Sequence, residues 1–342
     1  MTSRNFSIKE IALQAGVGVA TVDRVLNART GVTAGMTRRI HQAIQELERQ
    51  SSQVGLVGRR FLIDVVMETP TRFARVVRDA LEREMPQLHP AVFRARYHLK
   101  EVMPAGDLIA ALDAIGSRGS HGVLLKAPDR ADVAEAIDRL QKKNIPVITL
   151  VTDVPRSKRL AYVGMNNRAA GETAAYLIGQ WLPETPAGVL VSLSSNQFQG
   201  EEEREIGFRQ AIRRDFPRLK IHEISEGYGM HEATSRLVRQ VLSEHPDIVA
   251  VYSIGGANAS ILEAFQQLKR TCRVFIGHDL DTENLSLLRR GQMNAVLHHD
   301  LNHDMHSACQ QLMSAHKVGA SSFDPGLSAV QIVTPFNVPS KV

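Results

Sequence analysis

Three polar side chains in the second half of the chain follow apolar runs that we predict to be β-strands. They are Arg204, Asn258 and Asp279. Because ligands of open α/β sheets bind beyond the carboxyl ends of the strands, we expect these side chains to lie close together. A guanidinium donates hydrogen bonds, a carboxylate accepts them and an amide does both, which suits the several hydroxyl groups of a sugar. The pattern therefore predicts a site for a polyhydroxylated small molecule.

A dense group of histidines and acids near residue 300 is a second candidate for chemistry. His299 and His303 lie four residues apart on a predicted helix, which is the spacing of two metal ligands on one helix face. The group lacks the HExxH motif of zinc proteases, and we place it where the chain crosses between lobes. The sequence also contains no GxSxG motif and no phosphate-binding lysine loop. We therefore predict no metal site, no cofactor and no enzymatic activity.

The body of the chain alternates short apolar runs with segments of helical period. Such alternation is typical of parallel sheets that are covered by helices on both faces. About eleven strands would be many for one open sheet, so we predict an α/β body of two similar lobes, each a parallel sheet flanked by helices. The predicted strands are 61–67, 91–97, 123–125, 147–151, 161–163, 189–193, 221–224, 248–253 and 274–276.

The N-terminal segment has a different pattern, which predicts three short helices. Ser7 can cap the first helix, and Gly16 can form the turn that ends it. The second helix is predicted at about 19–26, and Thr33 can cap a third helix that extends through Leu47. The small residues and apolar spacing are typical of a helix-turn-helix, although a simple packing hairpin of two helices would give a similar pattern.

The distribution of charge favours a DNA-binding helix-turn-helix over a simple packing hairpin. The chain carries a formal net charge of +5. Residues 1–60 contain nine lysines and arginines against four acids, and the rest of the chain contains 32 of each. The whole positive excess therefore lies in this small segment, as binding to a phosphate backbone would require.

The segment "IKEIALQAGVGVATVDRVLN", followed by "VTAGMTRRIHQAIQEL", resembles the headpiece of the lac repressor family of bacterial regulators. The resemblance implies a small all-α headpiece with one helix in the major groove of double-stranded operator DNA. On that helix, Val19 and Ala20 can contact thymine methyl groups, and Arg24 can reach guanine or phosphate. The residues that we assign to DNA binding are Ser7, Val19, Ala20, Thr21, Arg24, Asn27, Thr33, Arg38, Arg39 and Leu56.

Two features depart from the family pattern. Asp23 stands where many members carry serine, and its charge would repel phosphate unless a neighbouring base neutralises it. Gly55 and Gly58 each disfavour the hinge helix of the family by about 1 kcal/mol relative to alanine. Leu56 remains the candidate for a minor-groove wedge in this hinge.

The body resembles the sensor domain of the same family and the periplasmic ribose-binding proteins. The resemblance rests on "YVGMNNRAAGETAA" from Tyr162, "EEEREIGF" from Glu201, "SIGGANAS" from Ser253 and "FIGHDL" from Phe275. It implies a sugar-like effector in a cleft between two lobes, and it adds His298 as a polar contact. Phe73 could stack on a sugar ring or belong to the core of its lobe. The predicted ligand-binding residues are Thr71, Phe73, Asp153, Arg204, Asn258, Asp279 and His298.

These patterns predict four regions in the 342 residues. Residues 1–49 form the headpiece, 50–60 a hinge linker, 61–162 with 296–322 the N-terminal lobe, and 163–295 with 323–342 the C-terminal lobe. The two cysteines cannot frame a disulfide scaffold, and the N-terminus has no apolar stretch like that of a secretory signal, so we expect a cytoplasmic protein.

The interpretation that accounts for all these features is a ligand-responsive transcription regulator. We expect a repressor that binds a pseudo-palindromic operator as a homodimer, senses a sugar or polyol and has no membrane partner. The alternative is a sugar-binding protein without regulatory DNA binding.

Overall fold

The computed structural model describes residues 7–27, 29–54, 59–319 and 326–339. The chain divides into two compact units, one of residues 1–59 with 89–92 and one of residues 60–88 with 93–342. We call residues 1–59 the headpiece and the chain from Arg60 onward the body. Within the described residues, no helix is long and apolar enough to cross a membrane.

The headpiece consists of three helices around a small apolar core. They are α1 (Ile8–Ala15), α2 (Val19–Leu26) and α3 (Ala34–Val54). The turn between α1 and α2 contains Gly16, whose φ of +61° is accessible to glycine at little cost. Thr33 caps α3, because its Oγ1 accepts a hydrogen bond from the amide of Met36 at 3.3 Å. The buried core residues are Ile11, Ala12, Ala15, Val22, Ile40 and Ala43.

The third helix is longer than the sequence pattern predicts. It continues to Val54, so residues 50–54 of the expected hinge linker are helical. Up to that point the chain contains no proline or glycine after Gly35, and its glutamine and serine residues are tolerated in a helix. Leu56 and the two hinge glycines lie outside the described residues.

The first lobe of the body has a five-stranded sheet in the order β2-β1-β3-β4-β5. Strands β1, β3, β4 and β5 pair in parallel. Helix α12 packs against α4 and returns to this lobe from the far end of the chain. The elements are β1 (Arg60–Glu68), α4 (Thr71–Glu84), a 3-10 turn (Met85–Gln87), β2 (Val92–Lys100), α5 (Ala105–Arg118), β3 (Val123–Lys126), α6 (Ala131–Lys142), β4 (Val147–Leu150), β5 (Ala161–Val163) and α12 (Leu301–Ala315).

The second lobe has a six-stranded sheet in the order β11-β10-β9-β8-β6-β7. All its pairs are parallel except β10 with β11. Two apolar cores cover its faces, one with α7 and α8 and one with α9, α10 and α11. The elements are α7 (Asn167–Trp181), β6 (Ala187–Ser192), α8 (Gln199–Asp215), β7 (Leu219–Ile224), α9 (His231–Glu244), β8 (Ile248–Ser253), α10 (Asn258–Gln267), β9 (Val274–His278), α11 (Thr282–Arg289), β10 (Ala295–His298) and β11 (Gln331–Val333).

The last two strands are absent from the predicted set. Strand β10 pairs with β9, so residues 296–298 belong to the second sheet. The predicted boundary, which assigns 296–322 to the N-terminal lobe, is wrong for these three residues. The chain enters the first lobe only after His298, where the Asp300 carboxylate caps α12 by accepting from the amides of Asn302 and His303. A strand of four residues followed at once by histidines and an acid is too short to show a clear period.

Candidate ligand cleft and DNA-binding surface

A cleft lies between the two lobes of the body, at the carboxyl ends of strands from both sheets. It encloses about 760 Å³, counting the part that is open to solvent. The first lobe contributes residues that follow β1, β3 and β4, and the second lobe contributes residues that follow β6, β8 and β9. The polar and aromatic lining residues include Glu68, Arg72, Phe73, Glu101, Lys126, Phe198, Glu201, Arg204, Tyr228, His278, Asp279 and Asp281.

Two of the predicted ligand residues present complementary atoms in this cleft. The Nη2 of Arg204 and the Oδ1 of Asp279 are both buried, and neither has a hydrogen-bond partner. The Arg204 residue is only 3% exposed. Leaving a buried donor and a buried acceptor unpaired costs free energy, whereas a hydroxyl group can satisfy both kinds of atom. The pair is therefore suited to a polar ligand that offers hydroxyls.

The position of Arg204 depends on an unusually close approach of α7 to α8. A Cβ on Gly171 would lie 1.9 Å from the Arg204 carbonyl oxygen, and a Cβ on Gly207 would lie 2.2 Å from the Arg168 carbonyl oxygen. Only glycine allows the two backbones to approach this closely. Arg204 lies within helix α8, about one turn after its start.

The Arg204 guanidinium is oriented by a buried asparagine. Its Nε donates to the Oδ1 of Asn167 at 2.8 Å. The Nδ2 of Asn167 in turn donates to the Val151 carbonyl at 3.2 Å and to the Tyr162 hydroxyl at 3.0 Å. Val151 and Tyr162 belong to the first lobe, so this chain of hydrogen bonds joins Arg204 to the crossover between the lobes.

Asp279 lies directly after β9, beside two buried histidines. The Nε2 of His299 is 3.8 Å from the Asp279 Oδ1, and the opposite ring nitrogen of His299 is 2.5 Å from the Asp304 carboxylate. His278 contacts the Tyr252 hydroxyl through its Nε2 at 2.8 Å. Burial lowers the pKa of His278 well below its ordinary value, so that ring is neutral near pH 7.

Lys126 and Glu68 are cleft residues that the sequence reasoning missed. The Lys126 Nζ donates to the Glu68 carbonyl at 2.9 Å and lies 4.0 Å from the centre of the Phe198 ring. Burial lowers the pKa of Lys126, and the nearby Glu201 and Glu68 carboxylates oppose that shift. Burial raises the pKa of Glu68. Lys126 ends a run of apolar residues, and a lysine at the carboxyl end of a buried strand is the signal that could have identified it.

Arg72 is a third missed residue, and it connects the lobes. From the first turn of α4 its Nε lies 3.1 Å from the Asp281 Oδ2, and its Nη1 donates to the Gly229 carbonyl at 3.1 Å. A Cβ on Gly256 would lie 2.2 Å from the Arg72 Nη2, so that glycine leaves room for the guanidinium. Arg72 therefore holds the two lobes together beside the cleft.

The remaining predicted ligand residues have different placements. Phe73 lines the cleft and is also 7% exposed, so it serves both the cleft wall and the lobe core. Thr71 and His298 line a neighbouring groove rather than the cleft. Asp153 pairs with Arg159, and Asn258 donates to the Asn284 Oδ1 at 2.6 Å; neither residue lines the cleft. Burial lowers the pKa of His298 to about 4.

The predicted DNA-binding side chains lie on the surface of the headpiece. On α2, Val19, Ala20 and Arg24 are exposed and Thr21 is half-buried, while Val22 faces the core. The other assigned residues that the structure describes are also exposed: Ser7, Asn27, Thr33, Arg38 and Arg39. One helix of the headpiece therefore exposes two apolar side chains and one arginine to solvent.

The charge of Asp23, the acidic residue that departs from the family pattern, is neutralised by a contact with Arg29 and not with Arg24. The Asp23 carboxylate lies 3.1 Å from the Arg29 guanidinium and accepts a hydrogen bond from the Asn27 Nδ2 at 2.7 Å. These contacts place a positive charge beside the carboxylate and reduce its repulsion of phosphate.

Models of known protein families match both the headpiece and the body of the chain. A model of the "Periplasmic binding protein domain" matches residues 105–319, and a model of "Bacterial regulatory proteins, lacI family" matches residues 7–50. The ribose import binding protein RbsB of Escherichia coli (strain K12) is 24% identical over 206 residues. That match covers 57% of this chain and 64% of RbsB, which is less than two thirds of its length.

Solved structures share the fold of the body. A glucose-galactose binding protein, GanP, from Geobacillus stearothermophilus has a TM-score of 0.72 at 19% identity, covering 82% of this chain and 100% of that chain. A putative LacI transcriptional regulator from Bacteroides fragilis has a TM-score of 0.69 at 17% identity, covering 82% and 98% of the two chains. The predicted α/β fold and the predicted headpiece are confirmed. The chain belongs to the periplasmic binding protein domain family, and its N-terminal segment matches the model of bacterial regulatory proteins of the lacI family.

Proposed function

We propose that the protein binds a pseudo-palindromic operator as a homodimer and represses transcription until a sugar or polyol occupies its cleft. The observation that carries the proposal is the pair of unpartnered atoms, Arg204 Nη2 and Asp279 Oδ1, in the body of a chain that also has a helix-turn-helix headpiece. A regulator of this kind acts in the cytoplasm, where its operator is.

Three further observations support a sugar-like effector. Phe73 and Phe198 supply apolar surface, and a sugar ring has an apolar face as well as hydroxyls. The charged groups include both signs, with Arg204 and Lys126 beside acids such as Glu201 and Asp279. RbsB is similar to this chain in sequence and GanP shares the fold of its body; their names refer to ribose and to glucose and galactose, which supports the proposal by analogy.

In the proposed mechanism the effector acts by changing the equilibrium between two arrangements of the body. An effector that binds one arrangement more tightly shifts the population toward it, and the shift changes operator affinity. Linkage then requires that an effector that weakens operator binding also binds more weakly to the operator-bound protein.

The experiment has two steps. A thermal-shift screen of sugars and polyols identifies ligands that raise the unfolding temperature, because a ligand that binds only the native state stabilises it. Fluorescence anisotropy with DNA from upstream of the gene then measures operator affinity with and without the ligand. We expect a Kd of about 10⁻⁸ M or tighter at about 150 mM salt, and a weaker one with the effector bound.

A sugar-binding protein without regulatory DNA binding is the second candidate, which the likeness to solute-binding proteins favours. It predicts the same thermal shifts but only non-specific DNA affinity, with a Kd of about 10⁻⁴–10⁻⁶ M on any sequence. Equal affinity for upstream and random DNA would therefore reject the regulator and leave the binding protein.

A further inference from the structure

A group of potential metal ligands lies in the second lobe, at the edge of its sheet and outside the cleft lining. It consists of His222 on the edge strand β7, and His245 and Asp247 in the segment between α9 and β8. One ligand atom from each residue lies within 4.8 Å of the other two. The His222 Nε2 is 3.2 Å from the Asp247 Oδ2, and the two imidazole rings are 4.0 Å apart between their centres. Two imidazoles and one carboxylate thus lie close enough together to be drawn onto one ion.

The backbone around this group is held by many hydrogen bonds. Strand β7 pairs with β6, where His222 is opposite Leu190. The Gly188 amide donates to the Asp247 carbonyl at 2.8 Å, which fixes the third residue to the same sheet. A rigid backbone reduces the entropy that the ligands must lose when an ion binds.

Arg270 holds the segment that carries the other two ligands. Its Nη1 donates to the carbonyls of Leu242 and His245, and its Nη2 donates to the Pro246 and Ile248 carbonyls. The guanidinium hydrogens therefore point at backbone oxygens and not at the Asp247 carboxylate. This clamp fixes the backbone of the segment that carries His245 and Asp247.

From these contacts we infer that His222, His245 and Asp247 bind one divalent transition-metal ion such as Zn²⁺, Co²⁺ or Ni²⁺. Neutral imidazole nitrogens suit these ions, and the carboxylate supplies negative charge. Ligand atoms at about 2.1 Å from a tetrahedral centre are about 3.4 Å apart, so the side chains need to move by only about 1 Å to close on an ion. Water would complete the coordination.

Burial and charge near the group are compatible with this inference. His222 is 7% exposed, but the Asp247 side chain is 41% exposed and gives an ion a route from solvent. Lys220 and Arg270 are the cations whose charges reach Asp247. Their repulsion makes the site weaker than one built only from histidines and acids.

In the other histidine-rich segment His299 precedes α12, so it does not share a helix face with His303 as the sequence predicts. His299 pairs with Asp304, and His306 pairs with Glu84 on α4. His299 and His306 therefore contact different carboxylates. Among the described residues, only the set at the edge of the second sheet brings three such ligand atoms together.

Isothermal titration calorimetry on the untagged full-length protein, stripped of metal with a chelator, tests the inference. We expect one Ni²⁺ or Zn²⁺ per chain, with micromolar to tens-of-micromolar affinity. His245→Asn and Asp247→Asn should each weaken binding at least about tenfold. His231→Asn is the control, because His231 is a half-exposed histidine that already pairs with the Glu283 carboxylate at 3.2 Å.

A second measurement separates loss of ligands from loss of folding. The wild-type unfolding temperature should rise when Zn²⁺ is added, and the two metal-site variants should keep the wild-type temperature in chelator but lose the rise. The inference is overturned if the wild-type protein binds no ion, if either variant binds as tightly as wild type, or if His231→Asn weakens binding equally. Effector and operator binding are not needed for either result, so failure here leaves the proposed regulator untouched.

Discussion

The contact between α7 and α8 allows a sharp test of how Arg204 reaches the cleft. At Gly171, a Cβ would lie 1.9 Å from the Arg204 carbonyl oxygen and 2.8 Å from the Phe208 amide nitrogen. Both obstructing atoms are backbone atoms of α8, so no side-chain rotation can relieve the overlap. Gly171→Ala must therefore push the two helices apart where Arg204 is attached.

The size of the effect follows from two opposing contributions. Real Cβ atoms rarely approach another atom within 3.0 Å, so the helices must separate locally by about 1 Å. Overpacking of this kind costs about 1–3 kcal/mol, and the backbone obstruction favours the upper part of that range. Alanine gains about 1 kcal/mol over glycine in helix propensity. We expect the free energy of unfolding to fall by about 2 kcal/mol, together with weaker effector binding.

Gly106→Ala is the matched control for this variant. Gly106 is the second residue of α5, and a Cβ there would meet nothing within 4 Å. The same exchange should therefore be neutral or stabilise by up to about 1 kcal/mol. Urea unfolding followed by circular dichroism measures both variants, and calorimetry measures effector affinity. If Gly171→Ala is as stable as Gly106→Ala and binds effector as wild type does, the close approach of α7 and α8 does not position Arg204.

Three further predictions concern the cleft, the headpiece and the dependence on pH. Asp279→Asn should weaken effector binding by about 10- to 100-fold in calorimetry, because a charged acceptor is lost; unchanged affinity would place the effector elsewhere. Arg29→Gln should lower operator affinity in fluorescence anisotropy by exposing the Asp23 charge, and adding Asp23→Asn should restore most of the loss; without that restoration, Arg29 contacts the DNA itself. Burial lowers the pKa of His298 to about 4, so between about pH 6.5 and 4 the unfolded chain binds a proton that the native protein does not. The free energy of unfolding should therefore fall as the pH falls through this window, and His298 should contribute up to about 3 kcal/mol of that fall. In urea unfolding measured across this pH range, His298→Gln should lack this contribution; equal pH profiles for the variant and wild type would contradict the shift.

The headpiece was largely predictable from sequence because its signals are local. The helix Val19–Leu26 was predicted with the bounds that the structure has, since a turn glycine precedes it and a single apolar face runs along it. The Thr33 cap was predicted for the same reason. The length of α3 was not, because polar residues after Leu47 hide the absence of a helix breaker before Gly55.

The cleft was only partly predictable, because its residues come from distant parts of the chain. Arg204 and Asp279 were found because polar residues after apolar strands mark the functional end of a parallel sheet. Arg72 was missed because an arginine in the first turn of a helix is usually a solvated charge. Its role depends on Asp281, more than 200 residues later, and on the glycine that leaves it room. No local pattern encodes such a contact.

The hydrogen bonds around Arg204 suggest how an effector can change the relation between the lobes. One side of the guanidinium is committed, since Nε donates to Asn167, while Nη2 is left for a ligand in the cleft. Asn167 also holds the carbonyl of Val151, a residue with a φ of +66° directly after β4. A valine in the left-handed backbone conformation is strained, so this conformation is kept only while surrounding contacts hold it. A ligand that pulls Nη2 away would weaken the contact with Asn167, which holds this strained turn. A ligand that keeps Arg204 in place would strengthen the same contact. We therefore expect Asn167 to couple effector binding to the backbone conformation at Val151. Asn167→Ala should remove this coupling: the effector would still bind to Asp279, but its effect on operator affinity would shrink.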